Sequence, residues 1–433
     1  MKSICFLPFI FLSTLTLAQT KTVWTPSVPQ IDAIYPEVET LYLDLHRNPE
    51  LSLHEIQTAA KLADRAKALG YEVTTGVGGT GVVAVMKNGP GPTVLFRTDM
   101  DALPIEEKTG LPYASTVVTK NDAGGAVAVM QACGHDIHMS SWFGTAKLMA
   151  TNKDRWKGTL ILIGQPAEEL VVGAAAMIKD GLFTRFPKPD FALAVHDDSL
   201  SAGQIGFTSG YTMASSDTVE ITIFGRGGHG AQPQNAIDPI VIGARTIIAL
   251  QTIVAREINP LDPAVITVGA FHAGTRGNII PDNANLQITV RAYKPEVRKH
   301  LLQAIARIAK AEAQAADAPR EPEIKITPGT NATYNKPELT ARMAKVLRGA
   351  LGDSNVVEIP PKTVSEDFSE FNLAGIPSML FYVGAMDPAK AEAARVSGTI
   401  LPGLHSSLWA PDREPTLKTA IKAATTALVN LLQ

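Results

Sequence analysis

The chain has 433 residues, 45% of them hydrophobic and 19% charged, with a formal net charge of −3 at pH 7. That composition belongs to an ordinary globular protein of about two or three domains and excludes a disordered, fibrous or repeat-built one. A near-neutral balance without a basic stretch offers no footprint for nucleic acid.

Residues 1–18 stand apart. Lys2 precedes an apolar run from Ile4 to Leu12, continued to Leu17 and closed by Thr16-Leu17-Ala18. This is the layout of a secretory signal peptide cleaved after Ala18, which predicts export to a periplasm or out of the cell. The apolar core is too short for a spanning helix, so no membrane is expected after cleavage; an uncleaved anchor is the alternative. Beyond this segment Cys133 is the only cysteine, and no disulfide can be built from it. A lone thiol in an oxidising compartment calls for burial or a metal.

Residues 30–70 are predicted as helices. Ile31, Ile34, Val38, Leu41 and Leu45 recur at helical spacing, and Thr58 to Leu69 continues to a stop at Gly70. Between them, L-H-R-N-P-E-L-S-L-H-E at 45–55 holds His46 and His54, for which cap and surface roles are the expectation. G-V-G-G-T-G at 76–81 matches the dinucleotide fingerprint by letter. That fingerprint needs a helix next, whereas Val82 to Met86 is β-branched and reads as a strand, so the prediction is a hairpin turn.

Four apolar runs then read as buried strands: Thr93–Phe96, Thr159–Gly164, Phe191–Val195 and Ser378–Val383. The first runs into R-T-D-M-D, the second into Q-P-A-E-E and the third ends on His196-Asp197-Asp198. In open α/β sheets, sites form beyond the carboxyl ends of strands. Between the first two lies A-C-G-H-D-I-H, 132–138. An extended backbone there would put Cys133 and His135 on one face, and thiolate with imidazole suits a borderline-soft divalent ion. A buried inert cysteine and a Cys–His nucleophile pair are the alternatives.

Residues 218–327 change character. Strands at Thr218–Phe224, Val265–Phe271, Leu286–Tyr293 and Glu323–Ile326 alternate with helices at Ile237–Arg256 and Pro295–Ala315. This β-α-β-β-α-β order is ferredoxin-like. The expected architecture is an α/β catalytic domain, 19–214 and 333–433, interrupted by an inserted α+β unit at 215–332.

Cys133, His135, Glu169, His196 and His405 supply the five donors that two metal ions need when positions stay open for water and substrate. Glu168, adjacent to Glu169, is then free to act as general base. The alternative for this pair is a solvated surface position.

R-T-D-M-D-A-L-P, C-G-H-D, the Glu168-Glu169 pair, G-R-G-G-H-G at 225–230, G-N-I-I-P-D at 277–282, S-E-D-F at 365–368 and Leu404-His405 appear in this order. Together they resemble the metal-dependent N-acyl-amino-acid amidohydrolases, which include hippurate and auxin-conjugate hydrolases and are relatives of aminoacylases and di-zinc carboxypeptidases. The resemblance covers nearly all of the chain after residue 18. It implies a di-metal exopeptidase-like catalytic domain with an inserted ferredoxin-like lid or dimerisation domain. It further implies that Cys133, His135, Glu169, His196 and His405 bind two divalent ions (zinc, manganese, cobalt or nickel) and that Glu168 is the base for a metal-bound hydroxide. His229 would reach the scissile carbonyl, often from a partner subunit of a homodimer. Asn278 and Arg291 would hold the substrate carboxylate, and Asp99 would orient a ligand, with Asp101 a weaker match. The stretch after His405, Ser406-Ser407-Leu408-Trp409, departs from the usual pattern, and Ala385–Gly403 is longer than usual.

The expected reaction is hydrolysis of the amide bond of an N-acyl amino acid, with a dipeptidase or carboxypeptidase on short peptides as runner-up. A thiol enzyme built on Cys133 would leave Glu168, Glu169 and His405 without roles. A binding protein would have no use for a spare general base.

Overall fold

The computed structural model describes residues 24–121 and 123–433, so the expected signal peptide lies outside the described residues. Helix α1 (Val28–Arg47) starts at a capping box between Ser27 and Gln30 and buries Ile31, Ile34, Val38, Leu41 and Leu45, the predicted stripe. Helix α2 (Ile56–Ala68) follows, its first free N–H groups, at Gln57 and Thr58, donating to the Glu50 carboxylate. Strands β1 (Glu72–Val77) and β2 (Gly81–Asn88) form the antiparallel hairpin expected of the glycine-rich letters.

Next come β3 (Thr93–Asp99), α3 (His135–Thr151), β4 (Gly158–Gln165), β5 (Phe191–Ser201) and β6 (Ile205–Phe207). Two expectations are corrected here. Residues 132–138 are not extended: Ala132 and Cys133 lie in a turn, and α3 starts at His135. Gly134 turns the chain with φ +72, and a Cβ there would stand 2.0 Å from Asp197 Oδ2, so only glycine fits. Because α3 is buried nearly all round, it has no amphipathic period by which to be found. Strand β5 does not end at Val195 but carries His196, Asp197 and Asp198 within it.

The antiparallel unit follows: β7 (Asp217–Phe224), α4 (Pro239–Thr252), β8 (Ala264–Ala273), β9 (Asn283–Ala292), α5 (Pro295–Ala315) and β10 (Glu323–Pro328). The predicted helix Ile237–Arg256 is shorter, its last turn being a π-turn at Ile253–Glu257. The sheet runs β8-β9-β7-β10, antiparallel throughout, which is the ferredoxin-like order. Alternate residues Val219, Ile221 and Ile223 of β7 meet Leu301 and Ile305 of α5 in a core of their own.

Helix α6 (Pro337–Leu351), β11 (Val356–Glu358), β12 (Ser378–Met386) and α7 (Arg413–Leu431) complete the chain. The main sheet has eight strands in the order β1-β2-β4-β3-β5-β12-β6-β11, with β4, β3, β5 and β12 mutually parallel. Both faces are covered. Phe96, Leu160, Leu162 and Leu193 pack with α1, α3 and α7, while Leu95, Ile161 and Ile163 pack on the opposite side with Met177 and Phe371. That is why the four runs read as continuous apolar strings. The parallel strands deliver Asp99, Gln165 and the His196 segment toward one edge of the sheet.

Candidate metal centre

Five donors converge there. His405 Nε2 lies 3.3 Å from Cys133 Sγ and 3.3 Å from Glu169 Oε1. His196 Nε2 is 3.7 Å from the same sulfur, and His135 Nε2 is 3.9 Å from Glu169 Oε1. Cys133 stands with His135 and His196, and again with Glu169 and His405, in groups whose donor atoms all lie within 4.8 Å of one another. Neighbouring sets around His138 are already spent on hydrogen bonds. The Asp197 N–H donates to His138 Nε2 at 2.8 Å, which keeps the proton on Nδ1, and Nδ1 donates to Asp99 Oδ1 at 2.7 Å. Adjacent carboxylates favour an imidazolium at this position, but the ring atom facing the backbone donor has to be a lone pair.

The candidate ligand histidines are fixed in the same manner. His135 Nδ1 donates to the Asp101 carbonyl and His196 Nδ1 to the Asp197 carbonyl, each at 2.7 Å, so both Nε2 lone pairs face the cluster. His135 Nε2 and Glu169 Oε1 are buried without a hydrogen bond. Leaving such atoms unsatisfied costs about 1–3 kcal/mol each, and a cation between them removes that cost. Sulfur, imidazole and carboxylate together fit a divalent transition ion. Burial and the Glu169 carboxylate push the Cys133 thiol well up, the reverse of what an activated thiol nucleophile requires. His405 sits in the left-handed region at φ +64, its N–H donating to Ala132 O at 2.8 Å.

Around this centre lie supporting contacts. Buried Arg97 donates to Asp99 Oδ2 at 2.6 Å, to Glu366 Oε1 at 2.7 Å and to Gln165 Oε1 at 3.0 Å, tying β3 to the S-E-D-F segment. Arg97 and Asp99 alternate in R-T-D-M-D, a period-two signal that one strand face holds both, and Asp101 follows two residues past the strand end. Asp101, the weaker match, receives the Glu168 and Glu169 N–H groups at 3.1 and 2.9 Å. His46 corrects the surface reading: it is buried, its Nδ1 2.7 Å from Asp136 Oδ2 and its Nε2 3.2 Å from Glu107 Oε1. Burial by itself lowers the His46 imidazole, but hydrogen bonds to Asp136 and Glu107 outweigh it and push it up to about 9.

The cluster floors a cavity of about 450 Å³ whose lining includes Glu168, Met213, Arg291, Lys362, Tyr382 and Leu404. Burial and the carboxylates of Glu366 and Glu169 raise the Glu168 carboxyl well above its ordinary value. Arg291, on β9, reaches the cavity half-buried; it donates to Ser365 Oγ at 3.0 Å and forms no ion pair among the described residues. Lys362 bonds Asp198 Oδ1 at 2.6 Å and lies 4.4 Å above the Tyr382 ring. His229 and Asn278 are not brought to the cavity. Both are exposed on a short ladder of Gly228–His229 with Ile279–Ile280, where the Gly230 N–H donates to Asn278 O at 2.9 Å.

A doubly covered sheet with a donor cluster at its edge and a ferredoxin-like unit beside it defines a metal-dependent amide hydrolase of the exopeptidase type. The profile of Peptidase family M20/M25/M40 matches residues 95–397. The chain is 40% identical over 349 residues to a hippurate hydrolase of Campylobacter jejuni, covering 79% of this chain and 87% of that one. It is 37% identical over 375 residues to thermostable carboxypeptidase 2 of Saccharolobus solfataricus, covering 86% and 89%. It superposes on a dinuclear metal-binding peptidase of the M20 family from Bacillus subtilis with a TM-score of 0.76 at 29% identity, covering 93% and 99%. The chain belongs to Peptidase family M20/M25/M40.

Proposed function

We propose that this protein hydrolyses the amide bond of N-acyl amino acids with two divalent ions held by Cys133, His135, Glu169, His196 and His405. The observation that carries the reading is a single cavity lined by Cys133, Glu169, His196 and His405, with His135 buried directly behind them and the guanidinium of Arg291, without an ion pair among the described residues, in its wall. A guanidinium without a carboxylate of its own is suited to pair bidentately with the carboxylate of an amino acid. When bound, the ions supply Lewis acidity and lower the pKa of a coordinated water. Glu168 takes the proton from the attacking water and passes it to the departing amino group. The Asp101 and Asp197 carbonyls keep the ligand imidazoles aligned, Asp99 supports His135 from 3.7 Å, and the apolar wall at Met213 and Leu404 receives the acyl group.

His229 and Asn278 are assigned to the substrate as well. Because both stand away from the cavity of their own chain, the reading includes a homodimer whose partner supplies them. Residues 1–18 are assigned as a signal peptide, with the remainder working outside the cytoplasm. The carboxypeptidase likeness favours one second reading, a short peptide in place of the acyl amino acid, which the same chemistry would cleave.

The test is metal analysis of the purified protein beside a panel of N-acyl amino acids and dipeptides. Two equivalents of divalent ion, activity lost on chelation and recovered on readdition, and preference for the acyl amino acids are expected. Full activity in metal-free protein overturns the mechanism, and a preference for dipeptides overturns the substrate assignment.

A further inference from the structure

The segment 45–55 carries Glu50, Ser52 and Glu55, none of which the reaction uses. Glu55 is fully buried, although it stands at the N-terminus of α2, where a carboxylate ordinarily turns back on its own helix. Here Glu50 performs that capping, accepting from Gln57 and Thr58 at 3.1 and 2.8 Å. Glu55 is thereby released to face a segment 112 residues away. Its Oε1 accepts from Ala167 N–H at 2.8 Å and Leu53 N–H at 2.9 Å, and its Oε2 accepts from Thr80 Oγ1 at 2.6 Å.

Asp101 takes the next two donors in line. Its Oδ1 accepts from Glu168 N–H at 3.1 Å, and its Oδ2 accepts from Glu169 N–H at 2.9 Å and Ser52 Oγ at 2.6 Å. Three successive backbone N–H groups, at 167, 168 and 169, are thus caught by two buried carboxylates. The segment needs such holding because two of its non-glycine residues are left-handed, Ala167 at φ +49 and Val171 at φ +53. A turn of that shape persists only when its surroundings over-determine it, and charge-assisted bonds from a buried carboxylate are strong and directional.

We propose that Glu55, with Ser52 acting through Asp101, is a positioning residue that sets the Glu168–Glu169 turn, aiming one carboxylate at the metal and the other at the water. This rests on the reaction and ligand assignment proposed above. The oxygens of Glu55 do the holding by accepting bonds, so an isosteric amide should replace it: in Glu55→Gln the amide oxygen can still take both N–H groups while the NH₂ donates to Thr80.

The experiment compares Glu55→Ala, Glu55→Gln and Ser52→Ala. It measures cobalt affinity and the visible spectrum of the cobalt-loaded protein, then kcat and KM at saturating metal. Glu55→Ala is expected to weaken cobalt binding by roughly tenfold to 100-fold, the range for lost outer-shell support, and to alter the spectrum. Its kcat should fall by about the same factor with KM within about threefold, as for an interaction that aligns reacting groups. Glu55→Gln should keep both readouts within about threefold, since it retains the acceptor. If Glu55→Ala does not fold, Ser52→Ala decides, with an expected loss of about threefold to tenfold in kcat and a shifted spectrum. The proposal is overturned if the folded Glu55→Ala protein, or Ser52→Ala in its place, keeps the wild-type spectrum and kcat. It is equally overturned if Glu55→Gln is damaged as much as Glu55→Ala. The cobalt readouts need no substrate, so a wrong substrate class leaves them standing and the two failures separate.

Discussion

At the floor of the cavity, His135 and His196 are each clamped by a 2.7 Å bond from Nδ1 to a backbone carbonyl, and Asp99 is held between Arg97 and His138. In the antiparallel unit, His229 and Asn278 stand in solvent on a two-residue ladder, and Arg291 is braced by one serine hydroxyl. The contrast separates two jobs. The groups proposed to bind metal and move protons are held by buried partners, as preorganised electrostatics demands. The groups proposed to meet the substrate sit in the antiparallel unit, which has a core of its own.

The sharpest way to break this division is at the floor. Glu168→Gln keeps the shape of the side chain but removes the proton acceptor, so kcat should fall by about 100-fold or more while metal content stays at the wild-type level. Glu169→Gln should lose metal instead. Metal analysis of the two variants measures this directly, and reversed results would exchange their roles.

At the wall, Arg291→Ala should lower kcat/KM by roughly tenfold to 100-fold, the worth of one charge-assisted contact. The loss should nearly vanish for a substrate whose carboxylate is replaced by an amide. Equal losses on the two substrates would make Arg291 a structural residue and erase the distinction between floor and wall.

The smallest effect concerns a brace behind the floor. Since His46 is raised in the folded state to about 9 from 6.5, its protonated form contributes stability that is fully present below pH 6.5 and lost as pH rises through about 9. His46→Gln should therefore cost on the order of 2 kcal/mol near pH 6, and the gap to wild type should close toward pH 9 and above. Denaturant unfolding at a series of pH values measures it; a gap that does not change with pH would mean His46 is neutral in the fold.

Much of the floor is legible in the residues alone. Cys133, His135, Glu169, His196 and His405 stand out in the sequence as donor types, and the fold draws them together. The alternating strands of the antiparallel unit are equally plain because each shows one face to water. What stays hidden is support. Helix α3 carries no stripe because every side of it is buried. Glu55 and His46 act on partners 112 and 90 residues away, and Glu55 grips backbone N–H groups that leave no trace in residue identity. Local spacing can reveal a donor, whereas a brace shows only in three dimensions.

The placement of His405 has a consequence for how the molecule comes into being. This proposed ligand lies 272 residues after Cys133, on a left-handed backbone pinned to the Ala132 carbonyl. A nascent chain therefore carries the other four proposed donors by residue 196 yet remains without the fifth until residue 405 has been added. Contacts so far apart in sequence form late, after loop-closure entropy has been overcome elsewhere. On the proposed ligand assignment, a chain cut short just before residue 405 would hold every strand of its main sheet and still lack one donor of its metal site.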